Sequence, residues 1–328
     1  MGPAGMAVRA PKHLAERVRR LLLDEGLLDN SRSIIRENEM VLLPIKDGGP
    51  VLPDGCSIVE AELPPNPRYG KQGGVGCSFD IIGSIAVINK PMDRAIASRI
   101  AAEIMANHPR VKTVLLKTGP VSGVERVGRY DVIAGIPSTE TVHRESGCIF
   151  KLDLSRVFFN PRLGSERLRL AGMTGPGELV VDMFAGVGPF SIVIAKTNKS
   201  VRVYSVEMNT HAFYYLVENI RLNRVADRVT AVLGDSSKIL RDLGIRADRI
   251  IMNLPHQSIN YLPTAASIIK PGGVIHLYTI HSGGEPVEKV ELAGKILAQA
   301  GHHLSHASFR FVKDVSPQES IIRLDLMV

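Results

Sequence analysis

The 328-residue chain has no tryptophan, and aromatic residues make up only 5% of it. Its apolar fraction of 45% therefore rests on aliphatic side chains, enough at this length for two or three globular domains with real cores. Cysteine is scarce as well. Cys56, Cys77 and Cys148 are odd in number, far apart and form no C-x-x-C pair, which argues against a disulfide framework and for thiols in a reducing cytoplasm. His256 and the pair His302-His303 have no Cys or carboxylate motif beside them, so no metal centre is expected. No apolar run reaches the ~20 residues of a membrane span. The N-terminus lacks a secretory apolar core, and Met1 to Ala10 reads as a flexible leader. Repeats and low-complexity tracts are absent.

What the chain does have is a moderate surplus of positive charge, +7 from 40 Lys and Arg against 33 Asp and Glu. That favours a polyanionic partner, although a basic but inert surface would look the same.

Three segments follow from patterning. Pro11 to Glu25 puts Leu14, Val18, Leu21 and Leu22 on one side and Arg17, Arg19 and Arg20 among the polar positions, which predicts an amphipathic helix. With strand-like runs at Met40 to Ile45 and Cys56 to Leu63, it makes a small α+β module over residues 1–67. The stiff run Pro64-Pro65-Asn66-Pro67-Arg68-Tyr69-Gly70 marks its boundary. A second α+β module over 68–156 holds a strand at Asp80 to Val87 and a helix at Met92 to Ala106. Strands at Val111 to Leu116 and Tyr130 to Ala134 follow, with one or two more within Thr141 to Leu154. Residues 157–328 alternate strands and helices, which predicts an α/β domain.

The chemistry concentrates in that last segment. Glu178 to Val181 leads an apolar strand, Asp182 ends it, and Met183-Phe184-Ala185-Gly186-Val187-Gly188 turns the chain before a helix begins at Phe190, Ile192 and Ile194. Glycines in such a turn admit a ligand where a side chain would block it. In an open α/β sheet the turn lies at the carboxyl edge, where ligands bind. Phe190 and Ser191 follow Gly188, so this is not the dinucleotide fingerprint G-x-G-x-x-G. A second strand, Val201 to Val206, ends at Glu207, about 20 residues on, where an acid grips ribose hydroxyls. A third, Val229 to Leu233, runs into Gly234-Asp235. Asp235 can accept from an adenine amino group or simply cap the next helix. A fourth, Arg249 to Met252, ends in Asn253-Leu254-Pro255, a tip whose amide both donates and accepts on a backbone fixed by proline. Helices are predicted over Thr210 to Leu222 and Ile259 to Ile269.

This order of acid-ended strands resembles the class I methyltransferases, which bind S-adenosylmethionine, and the Asn-x-Pro tip resembles the members that methylate nitrogens of bases. Upstream, Val157-Phe158-Phe159-Asn160-Pro161-Arg162-Leu163-Gly164-Ser165-Glu166-Arg167 is similar to the FxPRLxxER element of the archaeal and eukaryotic tRNA (guanine-37-N1)-methyltransferases. DMFAGVGPFS, VENIRLN, MNLP and the run Gly272 to Tyr278 resemble the same family, and the likeness extends from about residue 68 to the C-terminus.

The resemblance implies a Rossmann-like catalytic domain behind two smaller α+β modules, the first reading the outer corner of tRNA and the others working at the anticodon loop. It implies a cofactor site at Asp182, Phe184, Gly186, Gly188, Glu207, Met208, Asp235, Ser236 and Asn253. Phe158, Asn160, Arg162 and Arg167 are implied to contact substrate, Glu166 to act as general base, and Arg126 to steady the guanine, with Asn253 and Pro255 holding its edge. A monomer without membrane attachment is expected. Where the family often has Tyr, this chain has Phe158, which can stack but cannot donate a hydroxyl. Phe158 and Phe159 can stack on the guanine, although a double Phe in a strand is more often core.

Guanine N1 carries a proton at neutral pH, so its attack on a sulfonium methyl needs a base within hydrogen-bond reach. A free glutamate, near pKa ~4.3, is too weak unless burial raises it. A neighbouring arginine would act the other way, and Arg126 fits better at O6, where negative charge develops. Glu166 also stands four after Arg162 and three before Arg169, the spacing of helix-surface ion pairs. Aminocarboxypropyl transferases of the tricyclic guanosine pathway share fold and cofactor but typically lack the Asn-x-Pro ending. A dual enzyme acting also on a tricyclic intermediate would keep it. A non-enzymatic RNA-binding relative would be expected to have lost the turn, the ribose acid or the base.

Overall fold

A computed structural model of the chain describes residues 4–37, 39–46, 52–66, 77–119, 128–283, 286–316 and 318–328. It divides into two units, Met1–Gly76 and Cys77–Val328.

The first unit corrects the expected flexible leader. Strand β1 (Ala4–Pro11) runs straight into helix α1 (Lys12–Asp24). With β2 (Ile35–Glu37), β3 (Met40–Pro44) and β4 (Ser57–Glu62) it forms an antiparallel sheet of order β2-β3-β1-β4, so the supposed leader is an interior strand. Alternation is the cause. Val8 and Ala10 pack with Val18 and Leu22 of α1 and with Leu43, while Ala7 packs on Leu42 and Leu63. Beside Arg9 and Pro11 the strand is built from Ala, Gly and Met around one Val, so its apolar signal is faint. On the exposed side of α1, Glu16 pairs with Arg19 at 2.9 Å and Arg20 at 3.3 Å.

The second unit opens with β5 (Phe79–Ile82), β6 (Ile85–Ile88), α2 (Arg94–Asn107), β7 (Thr113–Lys117) and β8 (Tyr130–Gly135), whose strands lie in the order β5-β6-β7-β8. The single strand expected over Asp80 to Val87 is in fact a hairpin. Gly83 turns it at φ 59°, and a Cβ there would lie 2.3 Å from Thr141 Oγ1 and 2.4 Å from Val142 O. A second hairpin follows, β9 (Glu140–Glu145) and β10 (Cys148–Asp153), turned at positive φ by Ser146 and Gly147.

Helix α3 (Gly164–Met173), entered through a 3-10 turn at Pro161–Leu163, leads into the large sheet. Its strands are β11 (Leu179–Asp182), β12 (Arg202–Glu207), β13 (Val229–Leu233), β14 (Ala247–Met252), β15 (Ile269–His281), β16 (His306–Asp314) and β17 (Ser320–Met327). Their order is β13-β12-β11-β14-β15-β17-β16, with β17 antiparallel to both of its neighbours. Between the strands run α4 (Pro189–Thr197), α5 (Thr210–Leu222), α6 (Ser236–Asp242), α7 (Ser258–Ile268) and α8 (Val287–Gln299). This is the doubly wound α/β sheet that the strand-helix alternation predicts, with one buried cluster around Val180, Ile192 and Leu216 and another around Val181, Ile250 and Leu277.

The β9–β10 hairpin is fastened to this sheet by Asn219 of α5 and Asn223, which caps its C-terminus, both in the VENIRLN motif. Asn219 accepts from Lys151 N at 2.7 Å and donates to Lys151 O at 3.0 Å, and Asn223 does the same to Ile149 at 2.8 and 2.6 Å. Spaced one helical turn apart, the two amides stand in for a neighbouring strand along β10. That motif is structural.

Candidate active site

The parallel register gathers the strand ends on one edge. Asp182 lies opposite Ser205 and Ile251, Glu207 opposite Leu233, and Met252 opposite Leu277. Asp182, Glu207, Asp235 and Asn253 therefore share the carboxyl edge, as the sequence predicts. The glycine turn is bolted there. Gly186 N donates to Glu207 Oε2 at 2.7 Å, Asn209 N donates to Oε1 at 2.8 Å, and Asn219 Nδ2 reaches Val187 O at 3.0 Å. Gly188 caps α4 at φ 88°, where a Cβ would lie 2.6 Å from Leu216 Cδ1. Gly186 differs: the nearest atom to a Cβ built there is Phe158 O at 4.0 Å. The turn's main chain thus faces open space and the FxNPR segment.

Asp182 is 1% exposed, accepts from Ser191 Oγ at 2.8 Å and leaves Oδ1 without a partner. Burial pushes its pKa up to about 7, opposed by the Ser191 hydroxyl and the Phe184 amide and assisted by the Glu207 charge. Phe184 packs edge-on against Tyr261, centroids 4.9 Å apart. Met208 is exposed. Ser236 is buried and its hydroxyl donates to Met183 O, so it ties α6 to the turn. Asp235 caps α6 through Oδ1, at 2.9 Å from Ser237 N. Its Oδ2 makes no hydrogen bond among the described residues, which leaves one oxygen for each of the two roles the sequence allows.

The Asn-Leu-Pro tip is held by its backbone. Ser258 Oγ lies 2.9 Å from Met252 O and 2.8 Å from Leu254 O and accepts from Leu254 N at 3.2 Å, while Pro255 O accepts from Ile280 N at 3.2 Å. The half-buried Asn253 side chain makes no hydrogen bond among the described residues, so both ends of its amide are available to a ligand.

These residues fit S-adenosylmethionine. The turn's main chain is open at Gly186, Glu207 ends β12 at the same edge and would face the ribose hydroxyls, and Asp235 Oδ2 and the Asn253 amide are uncommitted among the described residues.

The upstream segment departs from expectation in several places. Asn160 Oδ1 accepts from Arg162 N at 3.1 Å and caps the 3-10 turn. Arg162 turns to Asp80 at 2.6 Å and Ser78 at 3.2 Å, not to Glu166. Arg167 is 2% exposed: Nη1 meets both oxygens of Glu145 at 2.6 and 2.7 Å, Nη2 donates to Asn160 O at 2.6 Å, and the guanidinium lies over Phe159 at 4.9 Å. Its two terminal nitrogens are committed to Glu145 and Asn160 while Nε has no partner among the described residues, so in this structure the side chain holds the loop. Burial pushes Glu145 up, but His143 and Arg167 outweigh it and hold the carboxyl below its ordinary range. Phe159 is core and Phe158 is exposed, which separates the two roles left open for the pair. Arg126 lies outside the described residues.

Glu166 is 6% exposed. Its Oε1 receives Tyr278 OH at 3.0 Å and Arg323 Nη1, while Arg169 Nε stands 3.5 Å from Oε2 without a hydrogen bond. Of the two helix-surface pairs that spacing allows, only the one with Arg169 is present. Tyr278 and Arg323 were not legible as site residues. Tyr278 packs obliquely on Phe190 at 5.8 Å, in the first turn of α4, which follows the glycine turn. Its position at the end of GGVIHLY, opposite the Asn-Leu-Pro tip, is a signal that pairing β14 with β15 would have exposed.

The family model described as the TRM5/TYW2 methyltransferase domain matches residues 141–300. The tRNA methyltransferase 5 N-terminal domain matches residues 7–50, and the TYW2 N-terminal domain residues 68–139. The chain is 40% identical to the tRNA (guanine(37)-N(1))-methyltransferase Trm5b of Pyrococcus abyssi, over 98% of this chain and 99% of that one. The crystal structure of that protein superposes with a TM-score of 0.68 over the same shares, at 38% identity. The complex of aTrm5 with tRNALeu gives 0.68 at 29% identity, covering 98% of this chain and 99% of that one. The tRNA(Phe) (4-demethylwyosine(37)-C(7)) aminocarboxypropyltransferase of Methanocaldococcus jannaschii is 31% identical over 74% of this chain and 94% of its own. With a full-length relative at that identity and the strand order, glycine turn and Asn-Leu-Pro tip in place, the chain belongs to the Trm5 family of tRNA (guanine-37-N1)-methyltransferases, class I enzymes dependent on S-adenosylmethionine.

Proposed function

We propose that this chain methylates N1 of guanine 37 in tRNA, the base that follows the anticodon, using S-adenosylmethionine. The observation that carries the reading is the uncommitted Asn253 amide beside the acid-bolted glycine turn. An amide that both accepts and donates matches the edge of guanine, where O6 accepts and N1 and N2 donate. That edge is hidden in a base pair and open in a loop, so a loop guanine is the accessible target.

S-adenosylmethionine supplies an electrophilic methyl group. The protein's residues supply position and a place for the proton. Glu207 and Gly188 fix the turn, and Asn253 and Pro255 orient the base. Glu166 takes the N1 proton on Oε2, because Oε1 is already occupied by Tyr278 and Arg323. Tyr278 remains a neutral donor, since burial and then the Glu166 charge push its hydroxyl well above the ordinary tyrosine range. Residues 1–67 read the outer corner of folded tRNA. The unpaired thiols of Cys56, Cys77 and Cys148 suit a monomer working in the cytoplasm.

The test is transfer from methyl-labelled and, separately, carboxyl-labelled cofactor to unmodified tRNA transcripts bearing G or A at position 37, with nucleoside mapping. Methyl label in 1-methylguanosine is expected from the G transcript. Carboxyl label in RNA would move the chain to aminocarboxypropyl transfer, and no label in any RNA would end the reading. Deleting residues 1–67 is expected to weaken discrimination between whole tRNA and an anticodon stem-loop; equal discrimination removes the outer-corner assignment.

A further inference from the structure

Behind Glu166 lies a row of buried polar side chains that the proposed reaction has not used. We infer that Arg323 and Asp325, backed by His276, Arg249 and Glu178, are positioning residues that orient Glu166 and fix which of its oxygens receives the proton. This rests on the reading of Glu166 as the base.

The row can be followed atom by atom. Arg323, fully buried on β17, gives Nη1 to Glu166 Oε1, while Nε and Nη2 fork onto Asp325 at 2.6 and 2.7 Å. Asp325 Oδ1 lies 2.6 Å from His276 Nδ1, and His276 Nε2 lies 2.6 Å from Arg249 Nη1. A guanidinium can only donate, so Nε2 accepts and the imidazole proton sits on Nδ1, pointing at Asp325. Burial holds His276 below its ordinary pKa, so it is neutral. Arg249 ends the row on Glu178 at 2.6 and 2.9 Å and on Met173 O at 2.9 Å. Every contact in the row has a defined donor and acceptor.

Buried ions are a poor way to stabilise a sheet compared with apolar packing. Their value here is in what they do to Glu166. Oε1 carries two donors, whereas among the described residues Oε2 has only Arg169 at 3.5 Å, so the incoming proton goes to Oε2. Arg323 divides its charge between two carboxylates. When Glu166 is protonated, Asp325 still neutralises the guanidinium, so no buried charge is stranded. Without Asp325, protonating Glu166 would strand one, and Glu166 would be a weaker base. Without Arg323, the carboxylate loses its cation and holds its proton more tightly. The groups facing Glu166 among the described residues are Arg323 from β17, Tyr278 from β15 and Arg169 from its own helix.

The experiment is single-turnover methylation at saturating cofactor from pH 5.5 to 9 for wild type, Glu166→Gln, Arg323→Gln, Arg323→Lys, Asp325→Asn and the Glu166→Gln/Arg323→Gln double variant. Cofactor affinity and far-UV melting serve as controls. Arg323→Gln is expected to move the acid limb up by at least one unit, which is ~tenfold in rate on that limb, with a smaller loss at pH 8 and partial restoration by lysine. Asp325→Asn should move the limb down and lower the plateau, and it carries the test if Arg323→Gln does not fold. The double variant should be no slower than Glu166→Gln. Unmoved limbs in Arg323→Gln and Asp325→Asn, or losses that multiply in the double variant, overturn the inference while leaving Glu166 as base. A wild-type rate and profile for Glu166→Gln would instead remove the base reading itself.

Discussion

Asp182→Asn tests how the first strand end is charged. Asp182 is buried beside Glu207, and its pKa is raised from the ordinary aspartate range to about 7. The sign follows from proton uptake. Between the unfolded value near 3.9 and the folded value near 7, the native state binds a proton that the unfolded chain has released, so stability falls as pH rises through that window and levels off above it. The full effect of three units is ~4 kcal/mol, of which roughly 3 kcal/mol develops between pH 5 and pH 8. Asparagine keeps the acceptor for Ser191 Oγ, 2.8 Å away, and has no charge to lose. Its amide nitrogen placed at the unpartnered Oδ1 position adds only a pH-independent offset. The assay is urea unfolding of cofactor-free protein followed by far-UV circular dichroism, tryptophan being absent. Carboxylates away from this strand end titrate alike in both proteins, so the difference between variant and wild type isolates Asp182 together with its coupling to Glu207. It should move in favour of the variant by roughly 3 kcal/mol from pH 5 to pH 8. A difference constant within about 0.5 kcal/mol would refute the raised pKa.

Three further outcomes follow from the same geometry. Gly188→Ala should cost ~1–2 kcal/mol for its backbone at φ 88° and ~1–3 kcal/mol for contact with Leu216 and Ile192, with cofactor affinity falling alongside; an unchanged urea midpoint would mean that the turn relaxes without loss. Asn219→Ala leaves three main-chain groups of Lys151 and Val187 without this partner and should destabilise by ~2–4 kcal/mol, whereas a near-neutral midpoint would show that the hairpin does not depend on α5. Asn253→Ala should slow single-turnover methylation ~10²-fold yet leave stability within about 0.5 kcal/mol, because the amide makes no hydrogen bond among the described residues; parallel losses of both would assign it to the fold.

What the sequence disclosed depended on how far each element's signal extends along the chain. The interior strands of the large sheet are buried on both faces, so the apolar run Ile250-Ile251-Met252 stands out and ends β14. Thr210 to Leu222 matches α5 because Asn209 caps it and its apolar spacing is regular. β1 reads as a leader because Ala, Gly and Met carry little periodic signal, and its place inside a sheet depends on pairing with β3 and β4, distant in sequence. The hairpin at Gly83 was misread as one strand because the reason for its turn, the close approach of Thr141 and Val142, is a tertiary contact.

The two halves of the site are encoded differently for the same reason. The cofactor half is local: a strand end, a glycine turn and acids at successive strand ends all fall within short windows. The base half is assembled across the chain, since Tyr278 and Arg323 stand 112 and 157 residues from Glu166. They meet because β17 inserts antiparallel beside β15 and sets Tyr278 directly opposite Arg323. Cross-strand partners share a face, so both side chains point at α3 together. His276 and Asp325 are opposite one another two residues along the same ladder, and they too face that side. A slip of one residue in β17 would turn Arg323 and Asp325 to the other face of the sheet at once. The geometry around the base is therefore a consequence of strand register, and the alternation Arg323-Leu324-Asp325 carries its own safeguard: Leu324 is buried in the opposite apolar cluster, and exchanging it for a charge in that core would be prohibitive.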